Sequence, residues 1–351
     1  MKRVIKRNGT ETAYEPQKIR NAVQKAFAEV NQEYTQELGD RIVRSVELQF
    51  RMQNSASVEE IQNAVEKSLM KEGCYDAAKA YILYREKRTA ARNARLSLTA
   101  LMQDPNLYPL LEKMEKDLPS CDLARLAAKF QSMNKEALSL DSRMEVLIRS
   151  AEELTTKEEP EWERAAGRLL AYQFHKNLRQ EEKKLGISSF YEKLVWLTKE
   201  GYYGSYILEH YSEEEVGKLE QRIDDRRDDL FAWAGLDLLL SRYVIHTHSH
   251  VPMESPQELY MGVAMHLGMN EKENRLEIVK RFYDMMSLHK VTMATPTLAN
   301  ARKPYHQLSS CFIDTTAITF FLLISVFLPL GASSAAPDES LRHRRFVRPH
   351  A

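Results

Sequence analysis

Thr295, Ser310 and Cys311 are the residues of this chain whose types and spacing make a candidate site. Val291-Thr292-Met293-Ala294-Thr295-Pro296-Thr297-Leu298-Ala299-Asn300-Ala301 is a β-branched run entering a proline-broken, Thr/Asn-rich turn. A polar linker separates it from Leu308-Ser309-Ser310-Cys311-Phe312. Read as two neighbouring strand ends, the two segments place hydroxyls and one thiol side by side. Hydroxyls offer hydrogen bonds to a polar ligand, and a thiol offers redox chemistry.

Long helical patterns must position that site. Around Asn8-Gly9, residues 3–14 read as two short strands joined by the dipeptide that best accepts positive φ in a hairpin turn. Pro16 opens a helix with Ile19, Ala22, Val23, Ala26, Phe27 and Val30 on one stripe. A second amphipathic helix is expected over residues 40–51. Ser57-Val58-Glu59-Glu60 has the form of a capping box, opening a third helix with Ile61, Val65 and Leu69 inward and Gly73 at its end. A fourth runs from about Tyr75 to near Arg92. Residues 109–118, 123–133 and 144–154 repeat the helical period, Pro160 starts another helix, Ser212 caps one, and two more lie between Pro256 and Leu288. Cys121, Trp162, Trp196 and Trp233 read as core packing.

The chain has 351 residues, 43% hydrophobic and 28% charged, the composition of a soluble globular protein with sizeable cores. Lys+Arg and Asp+Glu are both 50, so no global field draws the chain to nucleic acid or to an anionic membrane, and any nucleotide contact must be local. Cys74, Cys121 and Cys311 are too few and scattered for a disulfide framework, and the start Met-Lys-Arg-Val-Ile-Lys-Arg lacks the apolar core of a signal peptide. A reducing, cytoplasmic compartment is expected.

T-P-T-L-A-N-A-R followed by S-S-C-F resembles the first barrel strands of the large, catalytic subunit of ribonucleotide reductases. In that family the matching Thr295, Ser310 and Cys311 touch the substrate, and Cys311 is one half of the dithiol that supplies reducing electrons. The opening V-I-K-R-N-G and closing A-Y-I-L-Y-R-E-K-R of the first ninety or so residues resemble the ATP-cone, the regulatory module of many such enzymes. The resemblance implies that Val4, Lys6, Arg7, Lys18, Ile19 and Lys87 surround ATP or dATP. Converging cations are what a triphosphate needs in a chain without a G-x-x-x-x-G-K-[ST] loop or a G-x-G-x-x-G turn. Thr12, Glu15, Val58 and Gln62 stand where some members place other polar groups, which leaves ATP-versus-dATP preference open. Residues 153–170, 206–240 and 279–287 resemble the helices that precede the barrel.

The expected architecture is therefore mainly α. It comprises an ATP-cone of one β-hairpin and four helices at 1–92, an all-helical reductase domain at 93–240 and the first strands of an incomplete α/β barrel at 241–315. A tail at 316–351 departs from the family. There, a mostly apolar span at 317–330 is shorter than the roughly 20 residues that cross a bilayer, and the shift in composition suggests a frameshift or interrupted reading frame. His246, His248 and His250 alternate as on a strand, about 6 to 7 Å apart, and would gather a metal only if that strand bent; they are read as a hairpin tip, with no metal.

By family, the activity is that of a ribonucleoside-diphosphate reductase, an oxidoreductase with a disulfide as acceptor that supplies deoxyribonucleotides. The resemblance implies a small radical-generating subunit, a reductant of thioredoxin or glutaredoxin type, and a homodimer. Of the family's catalytic set this sequence holds Cys311 alone, so the chain by itself is expected to be inactive. The alternative is a stand-alone regulatory ATP-cone protein, to which Thr295, Ser310 and Cys311 would be of no use.

Overall fold

The computed structural model describes residues 2–134 and 138–310, and the chain divides after Asn134 into two compact units. In the first, β1 (Arg3–Ile5) pairs antiparallel with β2 (Glu11–Ala13) and parallel with β3 (Ser55–Ser57), in the order β2-β1-β3. Val4 sits opposite Thr12 on one side and Ala56 on the other. At the turn the Gly9 amide donates to the Lys6 carbonyl at 2.9 Å and the Lys6 amide to the Thr10 carbonyl at 2.8 Å. Only Gly9, at φ +80°, takes up the left-handed backbone there. Asn8 instead turns its side-chain oxygen to the Thr10 amide at 3.1 Å and the Thr10 hydroxyl at 2.7 Å, a local bond that Asn favours in turns.

The hairpin is followed by α1 (Pro16–Glu29), α2 (Gln36–Gln49), α3 (Val58–Lys71), α4 (Tyr75–Met102), α5 (Leu107–Asp117) and α6 (Leu123–Met133). Ile19, Val23, Ala26 and Phe27 of α1 are buried against Ile42, Val46, Val65 and Leu69 of α2 and α3. Ser57 and Glu60 form the capping box, and Gly73 closes the end of α3 at φ +75°. α4 does not stop near residue 92. It continues without a break to Met102, where Gln103 adopts the left-handed conformation as its cap, because Ala91, Ala94, Leu98 and Met102 carry a buried stripe onward.

The second unit contains α7 (Leu140–Glu152), α8 (Glu161–Leu185), α9 (Phe190–Lys199), α10 (Tyr206–His210), α11 (Glu213–Glu220), a 3₁₀ turn at Asp225–Leu230, α12 (Trp233–Arg242), α13 (Pro256–Gly268), α14 (Arg275–Ser287) and α15 (Thr295–Asn300). α13 is its axis. Leu259, Met261, Val263, Ala264 and Met265 are all fully buried, so this mostly apolar helix is packed all round by its neighbours. One polar thread crosses the core: His175 meets Asp228 at 2.7 Å, Gln257 donates to Asp228 at 2.7 Å, and Tyr283 donates to Gln257 at 2.8 Å.

The strand expected to end at Thr295 is instead the approach to a helix. Ala294 is its extended N-cap and Pro296 lies in its first turn, where a missing N–H costs nothing and the fixed φ suits a helix. Residues 291–294 have no ladder partner among the described residues. The histidine segment is a tight reversal: His246 bridges Pro252, the Thr247 amide donates to the Val251 carbonyl at 2.8 Å, and His250 sits at φ +62°. The tail at 316–351 lies outside the described residues. Among those described, no helix is long and apolar enough to cross a membrane.

Candidate functional site

The hairpin tip gathers charge because two consecutive cations, Lys6 and Arg7, follow β1 directly. Lys6 is exposed and makes no side-chain ion pair or hydrogen bond among the described residues. Arg7 is held from α3, its Nε bonded to Glu59 and its Nη2 to Gln62 Oε1 at 3.2 Å. Its reach across 52 residues follows from β3, which lies beside β1 and runs directly into α3. Lys18 leaves the first turn of α1 and pairs with Glu15 at 2.8 Å on the exposed surface, whereas Ile19 beside it is buried. Lys87 is exposed on α4, which packs on α1 and α3. Burial works to raise the Glu59 carboxyl, yet the Arg7 hydrogen bond and the Arg7 and Arg92 charges hold it below the usual carboxylate range.

In the second unit Thr295 is exposed at the first position of α15, its hydroxyl 3.2 Å from the Tyr243 hydroxyl. Asn300 donates from its side chain to the Gln307 carbonyl at 2.9 Å, folding the polar linker back over the end of α15. Ser310 is exposed, and Cys311 lies outside the described residues. Beside the motif a cleft of about 320 Å³ is lined by Phe231, Tyr260, Met286, Thr292 and Leu298. Among the described residues no group of three His, Cys, Asp or Glu side chains is placed to hold a metal ion.

Beneath Thr295 lies a network that sequence reading did not single out. Arg302 and Glu254 are both fully buried. The guanidinium bonds Glu254 through Nε at 3.0 Å and also through Nη2. It donates further to the Leu298 carbonyl of α15 at 2.6 Å and the Tyr243 carbonyl at 2.7 Å. Glu254 also accepts from the Tyr203 hydroxyl and the Ile245 amide, each at 2.9 Å. The only local signal was Arg302 closing T-L-A-N-A-R.

Next to it, Tyr206 donates to the Ala301 carbonyl and lies 3.1 Å from His266 Nδ1, while the His266 and His306 rings are 5.3 Å apart. Burial, and then the His306 charge, push the His266 imidazole down to about 4. The unfolded chain takes up this proton near pH 6.5, the folded chain only toward pH 4, so the contribution is present above about pH 6.5 and lost as pH falls to about 4. Urea unfolding at pH 7 and pH 5 should show a loss of stability that is smaller in His266→Gln. An equal loss in both proteins would refute the assignment.

Residues 2–90 match the ATP cone domain, and residues 230–306 match the ribonucleotide reductase all-alpha domain. The hairpin, its four helices and the helical second unit thus define a protein of ATP-cone and reductase type. The ribonucleoside-diphosphate reductase subunit alpha of Treponema pallidum (strain Nichols) is 43% identical over 321 residues, 89% of this chain and 38% of that protein. The corresponding subunit of Chlamydia pneumoniae is 30% identical over 350 residues, 89% of this chain and 33% of that one. Ribonucleoside-diphosphate reductase 1 subunit alpha of Escherichia coli (strain K12) is 32% identical over 209 residues, 59% of this chain and 27% of that protein. The chain belongs to the ribonucleotide reductase large-subunit family. It spans about a third of the length of the first two relatives, 38% and 33%.

Proposed function

We propose that this chain is the effector-sensing and substrate-entry portion of a ribonucleoside-diphosphate reductase alpha subunit. ATP or dATP binds at residues 1–92, its phosphates gathered by Lys6, Arg7, Lys18 and Lys87, with Val4 and Ile19 framing it from β1 and α1. The observation that carries this reading is the hairpin tip, where β1 delivers an uncommitted Lys6 beside Arg7 within a segment that matches the ATP cone. Residues 93–240 form the helical body and 241–315 lead into the barrel, where Thr295, Ser310 and Cys311 meet the ribonucleotide. Cys311 is one thiol of the reducing pair, since each turnover leaves a disulfide that must be reduced again. A small subunit supplies the radical, a reductant of thioredoxin or glutaredoxin type restores the thiols, and the enzyme works as a homodimer in the cytoplasm.

Calorimetry with ATP and dATP tests the cone. The full chain is the right material, because a cut at residue 92 would sever α4 in mid-helix. Lys6→Ala combined with Arg7→Ala should remove at least about 1.5 to 3 kcal/mol of binding, the range of charge-assisted hydrogen bonds. Heats no larger than dilution for both nucleotides at millimolar concentration would overturn the proposal.

A further inference from the structure

We propose that Glu59 is an intramolecular competitor for the effector phosphates: it occupies Arg7 in the nucleotide-free chain and is displaced from it when a triphosphate binds. The inference rests on the cone reading above and concerns how that site is regulated.

Arg7 differs from the two lysines, Lys6 and Lys18, that share the candidate phosphate site on the hairpin and α1. Lys6 has no partner among the described residues, and Lys18 pairs with Glu15 three residues away on an exposed surface. Arg7 is instead gripped from another element, with Nε on Glu59 and Nη2 on Gln62. Those two nitrogens form one edge of the guanidinium fork, the kind of planar edge that binds a phosphate with two parallel hydrogen bonds. A phosphate that uses this edge must therefore remove Glu59 and Gln62 from it. Both stand on the same face of α3, one turn apart, so a single displacement releases both.

The exchange leaves no stranded charge. Glu59 is the second residue of α3, where the helix N-terminus favours a carboxylate. Its carboxyl also bonds its own backbone amide and feels the Arg92 charge. With Arg7 gone, those interactions remain. The Arg7 and Glu59 side chains are 38% and 44% exposed, so the competing pair is weak enough for a triphosphate to break.

The test is ATP titration of the full chain by calorimetry. Glu59→Gln should tighten binding about three- to fivefold, the size of a partly exposed ion pair. In an Arg7→Ala background the same change should alter affinity by less than about 1.5-fold, because the competitor then has nothing to occupy. As a second measurement, the Arg7 Nε–H resonance, assigned by its loss in Arg7→Lys, should shift with Glu59→Gln in the free chain and coincide in the two proteins when ATP is bound. A wild-type chain that binds ATP while Glu59→Gln changes neither affinity nor that resonance overturns this proposal alone, as does a gain that persists undiminished in Arg7→Ala. A wild-type chain that binds no ATP overturns the cone reading and this proposal with it.

Discussion

Arg302→Ala should destabilise the second unit by about 3 to 5 kcal/mol, the usual cost of removing one partner from a buried ion pair. The size follows from what stays behind. Glu254 is fully buried, and without Arg302 it keeps only the Tyr203 hydroxyl and the Ile245 amide. The Leu298 and Tyr243 carbonyls lose a donor at the same time. Arg302→Met together with Glu254→Met should recover part of the loss, since the orphaned charge is gone while four hydrogen-bonding groups remain unmet. Chemical unfolding followed by circular dichroism measures all three proteins. A single substitution that costs under about 1 kcal/mol would mean that water or a rotated side chain reaches Glu254 and that the network is not sealed.

The sequence revealed what short-range physics decides. Ser57 with Glu60 and Ser212 with Glu215 are capping boxes whose partners lie three residues apart, so the pattern carries the geometry. The hairpin around Gly9 is of the same kind. β3 escaped because Ser55-Ala56-Ser57 has no strand character of its own; it is extended because β1, some fifty residues earlier, supplies its ladder. The β-branched run before Thr295 misled in the opposite direction, since Pro296 and the burial of Thr297 and Leu298 favour a helical turn over a strand. In the candidate cone site, Lys6, Arg7 and Lys18 fall on the expected elements, but nothing near Arg7 in sequence announces Glu59. Arg302 and Glu254, 48 residues apart, each look like ordinary surface charges until the fold closes over both.

Lys193→Met should be nearly as damaging and should change how stability depends on pH. Lys193 is buried on α9 and bonds Glu258 of α13 at 2.6 and 2.7 Å, with Glu182 of α8 as a second carboxylate partner. Burial opposes its charge, but the two carboxylates prevail and keep the ammonium protonated. Burial pushes the Glu258 carboxyl up, and the Lys193 charge and hydrogen bond, with the Ser255 amide, pull it part of the way back. Methionine fills similar space and removes the cation, so Glu258 and Glu182 are left facing each other. A loss of about 3 to 5 kcal/mol near pH 7 is expected from an uncompensated buried charge. The sign of the pH effect is fixed by linkage. In the variant the folded-state Glu258 binds its proton more tightly than the unfolded chain does, so the variant is most stable below about pH 4.5 and loses stability as pH rises toward the raised folded value. Unfolding at pH 5 and pH 8 should therefore show Lys193→Met closer to wild type at pH 5. A deficit that is the same at both values would show that Glu258 already reaches solvent or another donor, and that Lys193 does not hold α9 to α13 through charge.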